Sequence, residues 1–520
     1  MRRALPFLSI ASLLFVYDLW AVRSAGYPFL WGRRDLPGYY DYLGRAFAAG
    51  HLYLPIQPTP QLLALADPYD PAAGAEYKMH DMAYRNGRYY LYHGAAPAVL
   101  LFAPWRILTG RDLPENFALF VFCFLGWAFS AGALVALLDL AAVRPPPALL
   151  AALFLILGIS PAVPYLMSRV WVYEIAIGGA YCCTMAALWT LLRGVESPHR
   201  ARWWAASGLI FGLAVACRPH MLFAAAIALA VIVLRRTPRP HLVAFAAPLA
   251  AAGVLIGAYN YARFDNPFEF GIRYLLSGAD QNRIHLDPAY LPHGIYYFLA
   301  CAPDFMRAFP WVHVVSRHAS LPPGYFLEPT AGAFFFAPFL IAALAVPNTK
   351  ARLWTWMLAA TSLAILLFLA ATGFTTERYL VDFLPLAVLA ALANIAIHLH
   401  RMRRPARVLL AAAFTAAALY SAVVNLALGI RGPYDEMLRN RPQTWLRIAS
   451  LFPGAPQFAL DVTAAPGPIF AIGSRYQLTA EPIPTGLRVT SRTPAGTTIR
   501  DVPPGATLHL TYTAGRLTIE

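Results

Sequence analysis

Residues 92–110 read Tyr92-His93-Gly94-Ala95-Ala96-Pro97-Ala98-Val99-Leu100-Leu101-Phe102-Ala103-Pro104-Trp105-Arg106-Ile107-Leu108-Thr109-Gly110. Whether this run crosses a membrane decides on which side every later loop lies. Its apolar part, 97–109, is about 13 residues long and is interrupted by Pro104-Trp105-Arg106. A helical span needs about 20 apolar residues, and shorter runs more often lie in the interface or re-enter. Charge settles the choice. If 97–109 does not cross, four basic loops share the side of Met1-Arg2-Arg3: Arg193 to Arg202, Arg235 to Arg239, Lys350-Ala351-Arg352 and Arg401 to Arg407. If it does cross, all four move to the opposite side. Basic residues mark cytoplasmic loops, so 97–109 reads as an interfacial helix.

The rest of the chain supports a membrane setting. Its 520 residues are 59% hydrophobic and 13% charged, with mean hydropathy +0.52; soluble domains are nearer a quarter charged. Apolar runs fall near 4–22, 116–141, 147–167, 172–192, 203–217, 220–234, 241–262, 330–346, 353–372, 379–398 and 406–429. The expected fold is an α-helical polytopic membrane protein of about eleven transmembrane helices. The first run lacks a small-x-small cleavage site and carries Asp18-Leu19-Trp20 where one would lie, so it reads as an uncleaved helix. A net charge of +15 would suggest nucleic acid in a soluble protein. Here it resides in the basic loops, and no nucleic acid partner is expected.

This topology gathers several segments on the face opposite the basic loops. They are the first loop, 23–96, the turn from Arg169 to Glu174, the aromatic loop, 263–329, and everything after Leu428. The turns Arg218-Pro219-His220 and Thr375-Thr376-Glu377-Arg378 join them. The first loop carries Asp35, Asp41, Asp67, Asp70 and Asp81. It is too long for a plain connector and too rich in Tyr, Leu and Pro for disorder, so it reads as a folded cap. After about 430, Leu487-x-Val489, Leu508-x-Leu510-x-Tyr512 and Leu517-x-Ile519 alternate with polar residues between Pro and Gly turns. That pattern predicts a helical lead-in, Tyr434 to Phe452, and then a small β-rich domain within 431–520, set against a transmembrane domain over 1–430.

Several polar residues on this face are candidates for chemistry. Glu174, in Arg169-Val170-Trp171-Val172-Tyr173-Glu174, sits at a helix mouth, where an ionisable group is a functional candidate; the structural alternative is an ion pair with Arg169. Asp41 and Asp81 are candidate general bases, because a shielded carboxylate has its pKa raised toward working pH. Against this, Asp41 at a helix start serves equally as a dipole-complementing acid, and Asp81 beside His80 as a turn former. Arg378-Tyr379 suits a phosphate, through the planar guanidinium, or an interfacial anchor. His93 precedes the interfacial helix. Arg273, Arg283 and Arg307 interleave with the aromatics of 263–329 and suit a lipid phosphate, a sugar or simply headgroups. The five cysteines, Cys123, Cys182, Cys183, Cys217 and Cys301, read as packing residues, the adjacent pair being a poor disulfide. No metal-ligand spacing, phosphate-cradling glycine loop or nucleophile elbow is present, so no cofactor or metal is expected.

The order of parts resembles the GT-C class of membrane glycosyltransferases, which includes protein O-mannosyltransferases and lipid A aminoarabinose transferases. The residues carrying the likeness are Tyr42-Leu43-x-x-Ala46-Phe47-x-x-Gly50, similar to the class's first-loop helix, and Gly94-Ala95-Ala96-Pro97-Ala98-Val99-Leu100 with Leu108-Thr109-Gly110, similar to its juxtamembrane helix. Glu174, where the class has a second acidic residue, and Arg378-Tyr379-Leu380 with Pro385 complete it. The class usually has an acid three or four positions before the first-loop Tyr. Here Gly38 and Tyr39 stand there, with Asp41 adjacent. The segment His80-Asp81 to Tyr90 looks particular to a bacterial subgroup.

The resemblance implies an inverting glycosyltransferase of the cell (inner) membrane, with a cytoplasmic N-terminus and an extracytoplasmic C-terminal domain. It would take a sugar from a polyprenyl-phosphate donor to a lipid, glycan or protein acceptor. Asp41 or Asp81 would be the base, Glu174 would orient, and Arg378, Tyr379, Arg169, Arg273, His80 and His93 would contact the lipid phosphate or substrate. Two alternatives share the substrate: a lipid-linked saccharide transporter or flippase, and a polysaccharide polymerase or ligase. Transporters tend to show internal repeats, and none is evident. The largest loop here is the first, whereas ligases carry theirs late.

Overall fold

The computed structural model describes residues 4–26, 37–73, 76–278, 286–315, 320–453, 456–494, 496–513 and 515–520. Met1-Arg2-Arg3, Asp35 and Arg283 lie outside the described residues. Among the described residues, seven helices are long and apolar enough to cross a membrane: Ala4–Ser24, Glu115–Leu140, Val172–Gly194, Arg239–Phe264, Arg352–Ala370, Glu377–Arg401 and Arg404–Arg431. Even the shortest, at 19 residues, is about 28 Å long at about 1.5 Å per residue. The chain is a multi-pass helical membrane protein with a β-rich C-terminal region. Two of the long helices are central. In Val172–Gly194 and Glu377–Arg401 the apolar stretch is 94% buried, against 11% in Arg239–Phe264, so the first two form the axis of the bundle and the last its rim.

The other four of the eleven expected crossings take a different form. The 147–167 run breaks at Pro161 and the left-handed Ala162 (φ 61°) into Pro147–Ile159 and Val163–Met167. The 330–346 run becomes Ala333–Phe336 and the 3-10 turn Pro338–Ala343, since Pro338 has no N–H to continue a helix. The 203–217 and 220–234 runs are Arg200–Cys217 and Leu222–Leu234, joined by the tight turn Pro219–Met221. These pieces still lead from one end of the bundle to the other. Arg218 pairs with Asp382 at one end (2.9 Å), and Arg235 covers the Trp354 ring at the other (5.3 Å). At that second end Lys350 pairs with Glu196 (3.5 Å) and Arg401 donates to the Asn348 carbonyl (3.0 Å). The basic loops thus meet at one end, and the loops that build the cap meet at the opposite one.

The 97–109 segment is a π-helical turn, Ala98–Phe102, continued by Ala103–Thr109 and stopped by the left-handed Gly110 (φ 69°). It packs beneath the Tyr39–Ala48 helix, with the Tyr40 and Phe102 rings 5.5 Å apart. In the cap, strands Met82–Arg85 and Arg88–Tyr90 form a hairpin whose turn, Asn86 (φ 51°) and Gly87 (φ 72°), takes up the tight two-residue geometry these residues tolerate. Leu275–Leu276 of the aromatic loop adds a third strand, pairing Leu276 with Met82. A single small sheet therefore stitches the first loop to the aromatic loop. A parallel pair, Phe326–Leu327 with Phe374–Thr375, stitches the far end of the aromatic loop to the start of the Glu377–Arg401 helix.

Beyond Gly432, helices Glu436–Asn440 and Pro442–Ala449 lead into seven strands. Four form one sheet: Gly467–Ile472, Tyr476–Ile483, Gly486–Thr493 and Gly496–Val502. Phe458–Thr463, Thr507–Thr513 and Arg516–Ile519 form the other. Alternate residues point inward, so Leu460, Val462, Leu478, Ala480, Leu487, Val489, Leu508 and Leu510 share one core with Trp445 and Ala449.

Candidate active site

The site lies where the two central helices begin. Glu174 stands in the first turn of Val172–Gly194, its carboxylate accepting the Trp171 N–H (3.1 Å). A carboxylate there complements the helix N-terminus. The cap uses one oxygen of a residue only 2% exposed. Glu174 lines a small cavity, of about 10 Å³, with Tyr165, Arg169, Thr376, Arg378 and Pro433. Arg378 comes from the opening turn of the other central helix. Its Nη1 donates to Glu328 Oε2 (2.5 Å), and its guanidinium lies 4.6 Å from the centre of the Tyr173 ring. Thr376 donates to the same Glu328 oxygen (2.7 Å).

The parallel strand pair sets this geometry. It delivers Glu328, whose own N–H donates to the Thr375 carbonyl (2.9 Å), to Arg378 fifty positions later in the chain. Glu377 turns the other way and accepts from Thr330 Oγ1 (2.8 Å) and the Ala331 N–H (2.5 Å), locking the loop end to the helix start. The buried Nε of Arg378 has no hydrogen-bond partner among the described residues. One acid therefore holds the fork and leaves a further donor unspent, and a guanidinium suits an anionic acceptor.

A second cation stands beside it. Arg218 lies 4.7 Å from the centre of the Tyr379 ring and pairs with the fully buried carboxylate of Asp382, which His220 also reaches (3.3 Å). His93 packs edge-on against Tyr173 (5.1 Å). Burial, and then the nearby Arg218 and Arg378, hold its pKa well below the usual imidazole range, so it is neutral near pH 7. Its Nε2 has no partner among the described residues. Arg169 spans Trp171 (4.4 Å) and Tyr434 (5.0 Å) on the opposite wall.

Asp81 enters this field from the cap. Its backbone is left-handed (φ 56°), a conformation Asp tolerates, and its N–H donates to the Leu276 carbonyl (2.8 Å). His80 Nε2 stands 3.5 Å from its carboxylate, and the side chain is 13% exposed. Burial raises its pKa; His80, Arg378 and Lys78 pull it back, and Glu328 pushes it further up. Asp41, by contrast, is turned into its own helix: its carboxylate accepts the Gly38 N–H (2.9 Å), and it is 2% exposed. Glu115 accepts the Tyr40 N–H beside it (3.1 Å). Asp41 is not among the cavity-lining residues.

Of the candidate residues, the structure brings together Glu174, Arg378, Tyr379, Arg169, His93 and Asp81. His80 is exposed and reaches the group through Asp81, while its carbonyl accepts from Tyr39 Oη (2.8 Å) outside it. Arg273 stays exposed in the turn 272–274 and lines no part of the cavity. Tyr173, Glu328, Pro433 and Tyr434 belong to the site and are not among the candidates read from the sequence. Glu328, an acid closing an otherwise aromatic loop, is the one with a local signal. Among the described residues, no group of three or more His, Cys, Asp or Glu side chains is placed to hold a metal ion.

No protein-family model matches the sequence, and no curated protein matches it. Solved structures similar to the chain include the apo oligosaccharyltransferase of Archaeoglobus fulgidus (12% identity, TM-score 0.43, covering 85% of this chain and 58% of that one). ArnT of Cupriavidus metallidurans bound to undecaprenyl phosphate is similar at 15% identity and TM-score 0.43, covering 85% and 79%. A third is the Archaeoglobus fulgidus oligosaccharyltransferase AglB with an inhibitory peptide and a dolichol-phosphate (12%, TM-score 0.41, 85% and 58%). The chain thus spans about 58% of the length of the oligosaccharyltransferase it matches.

Proposed function

We propose that the protein is an inverting glycosyltransferase of the bacterial inner membrane. It takes a sugar from a polyprenyl-phosphate donor to a hydroxyl acceptor on the extracytoplasmic face, where the cap and the C-terminal domain lie. The observation that carries this is Arg378: a buried guanidinium with an unspent donor, facing a cavity shared with Glu174 and set in the field of Asp81. Transfer needs a base for the acceptor and a cation for the leaving phosphate, and these residues supply both.

In this mechanism Asp81 takes the proton from the acceptor hydroxyl. That oxygen attacks the anomeric carbon as the bond from that carbon to the phosphate oxygen breaks, so the configuration inverts in one displacement. The phosphate leaves with both electrons, and its growing charge is met by Arg378, with Arg218 and Arg169 nearby. Glu174 and neutral His93 hold the sugar or acceptor by hydrogen bonds. The side-chain cations carry the leaving-group charge, and we infer no divalent metal in the step.

The test is sugar transfer from a polyprenyl-phosphate donor by purified protein, comparing wild type with Asp81→Asn, Glu174→Gln and Arg378→Gln. Loss of a general base costs about 10²–10⁴-fold, and that is the range expected for Asp81→Asn. Unchanged transfer in all three variants sinks the mechanism.

A further inference from the structure

A second concavity lies away from this site, between the cap-side end of the Ala4–Ser24 helix and the lead-in to the C-terminal domain. It is an open groove of about 370 Å³. Its lower wall is apolar, from Val16, Leu19 and Trp20, and its upper wall is cationic and hydroxylic, from Arg23, Arg441 and Thr444. We propose that this groove binds an anionic phospholipid of the cap-side leaflet, its phosphate between Arg23 and Arg441 and its chains along the first helix.

Three observations support this occupant. First, the apolar wall runs on into the bilayer face. Leu5, Leu8, Leu13 and Val16 are 71%, 59%, 53% and 65% exposed along the same helix, so lipid reaches the groove without crossing water. Second, the groove is built. Asn440 Nδ2 donates to the Ala25 carbonyl (2.7 Å), and Gly26, left-handed at φ 96°, backs onto Asn440 so closely that a Cβ there would lie 2.2 Å from the Asn440 Cβ. That junction brings Arg441 and Arg23 to the wall of one groove. Third, the charge is on the unexpected side. The basic loops meet at the far end of the bundle, yet Arg23 and Arg441 stand together at the cap end. A guanidinium pair matches a phosphate diester, and Trp20 suits the headgroup level. Free phosphate would leave the apolar wall without a role, so the lipid is the occupant.

The test uses the full-length protein purified in detergent, with native mass spectrometry reading retained lipid after equal exposure to phosphatidylglycerol and phosphatidylcholine of the same chains. Two arginines near an anionic headgroup correspond to a preference of about thirtyfold for phosphatidylglycerol. The Arg23→Gln/Arg441→Gln double variant should bring the two lipids level, and Arg23→Lys/Arg441→Lys should keep most of the preference. Arg447→Gln, an exposed arginine on the same lead-in but outside the groove, should leave it intact. Thermal melting of each variant checks that it stays folded, and Arg23→Lys/Arg441→Lys, which keeps both charges, controls for the other contact that Arg23 makes. Equal retention of both lipids by wild type, an unchanged preference in the double glutamine variant, or displacement of the lipid by millimolar inorganic phosphate would each overturn the proposal.

Discussion

Arg378 permits a test that separates holding the fold from handling substrate. Arg378→Gln leaves Glu328, with 18% of its side chain exposed, and Glu174, 2% exposed, without the cation between them. Removing one partner of a buried ion pair costs about 3–5 kcal/mol, so the single variant should melt well below wild type in detergent. It should also lose transfer by about 10²–10³-fold, the usual cost of deleting a donor to a developing anion. Adding Glu328→Gln removes the charge of Arg378's direct partner and replaces the pair by two amides, while Glu174 keeps its hydrogen bond from the Trp171 N–H. Replacing both partners of a buried pair is often close to neutral, so the double variant should recover most of the melting temperature. It should not recover transfer, because no guanidinium remains to meet the leaving phosphate. The assays are thermal melting and single-turnover transfer, each on four proteins: wild type, both single variants and the double. A double variant that melts and transfers like wild type refutes the catalytic role and leaves Arg378 a structural anchor.

Other consequences follow from the same geometry. Asp81 works as a base only when ionised, and burial raises its pKa. Transfer should therefore fall as pH drops through a limb lying above the ordinary value of 3.8, and a limb of unchanged position in the residual activity of Asp81→Asn assigns it to another group. Glu436, at the junction to the C-terminal domain, is pushed by burial from 4.5 to about 7. The folded protein thus holds that proton more tightly than the unfolded chain. The stabilisation is complete below pH 4.5 and is lost as pH rises to about 7, by about 3 kcal/mol at about 1.4 per pH unit. Melting of Glu436→Gln should be flatter than wild type across that window, and parallel curves contradict the assignment. Gly87→Val places a β-branched residue at φ 72° in the cap hairpin. At about 1–2 kcal/mol for the left-handed conformation, it should loosen the cap, seen as faster proteolysis between 76 and 96 with the helical core intact. If side-chain cations alone meet the leaving phosphate, as proposed, transfer should persist in excess EDTA; activity abolished by EDTA and restored by a divalent cation counts against that step.

Much of the fold is legible from local chemistry. Pro104 and Arg106 shorten the apolar run 97–109 to the length expected of an interfacial helix, and the basic loops read from the sequence gather at one end of the bundle through the Lys350–Glu196 and Arg235–Trp354 contacts. The alternation of Leu487 with Val489 and of Leu508 with Leu510 marks strands because only a two-residue period puts both on one face. The broken helices are harder to read. Hydropathy averages over 147–167 and does not register that Pro161 and Ala162 end a helix there. The cap hairpin had a readable signal, Asn86-Gly87 between aromatic runs. The site is legible where one helix end carries its chemistry, as with Glu174 and Arg378. It is illegible where long-range pairing makes the contact: Glu328 reaches Arg378 only because Phe326–Leu327 pairs with Phe374–Thr375. Asp41 shows the limit of residue type alone. Its position in the first helical turn is visible in the sequence, but its hydrogen bond to Gly38, which makes it a cap, appears only in the structure.

The central claim is that a polyprenyl-linked phosphate is held at Arg378 while Asp81 and Glu174 face the transferred sugar. A density map of the protein with a polyprenyl-phosphate bound tests it most directly. The expected map shows the phosphate within hydrogen-bond distance of the Arg378 guanidinium, with its non-esterified oxygens, one of which carries the sugar in the donor, open toward Asp81 and Glu174. A phosphate bound at the opposite end of the bundle, among Arg200, Arg235 and Lys350, or at the cap end without contact to Arg378, contradicts it.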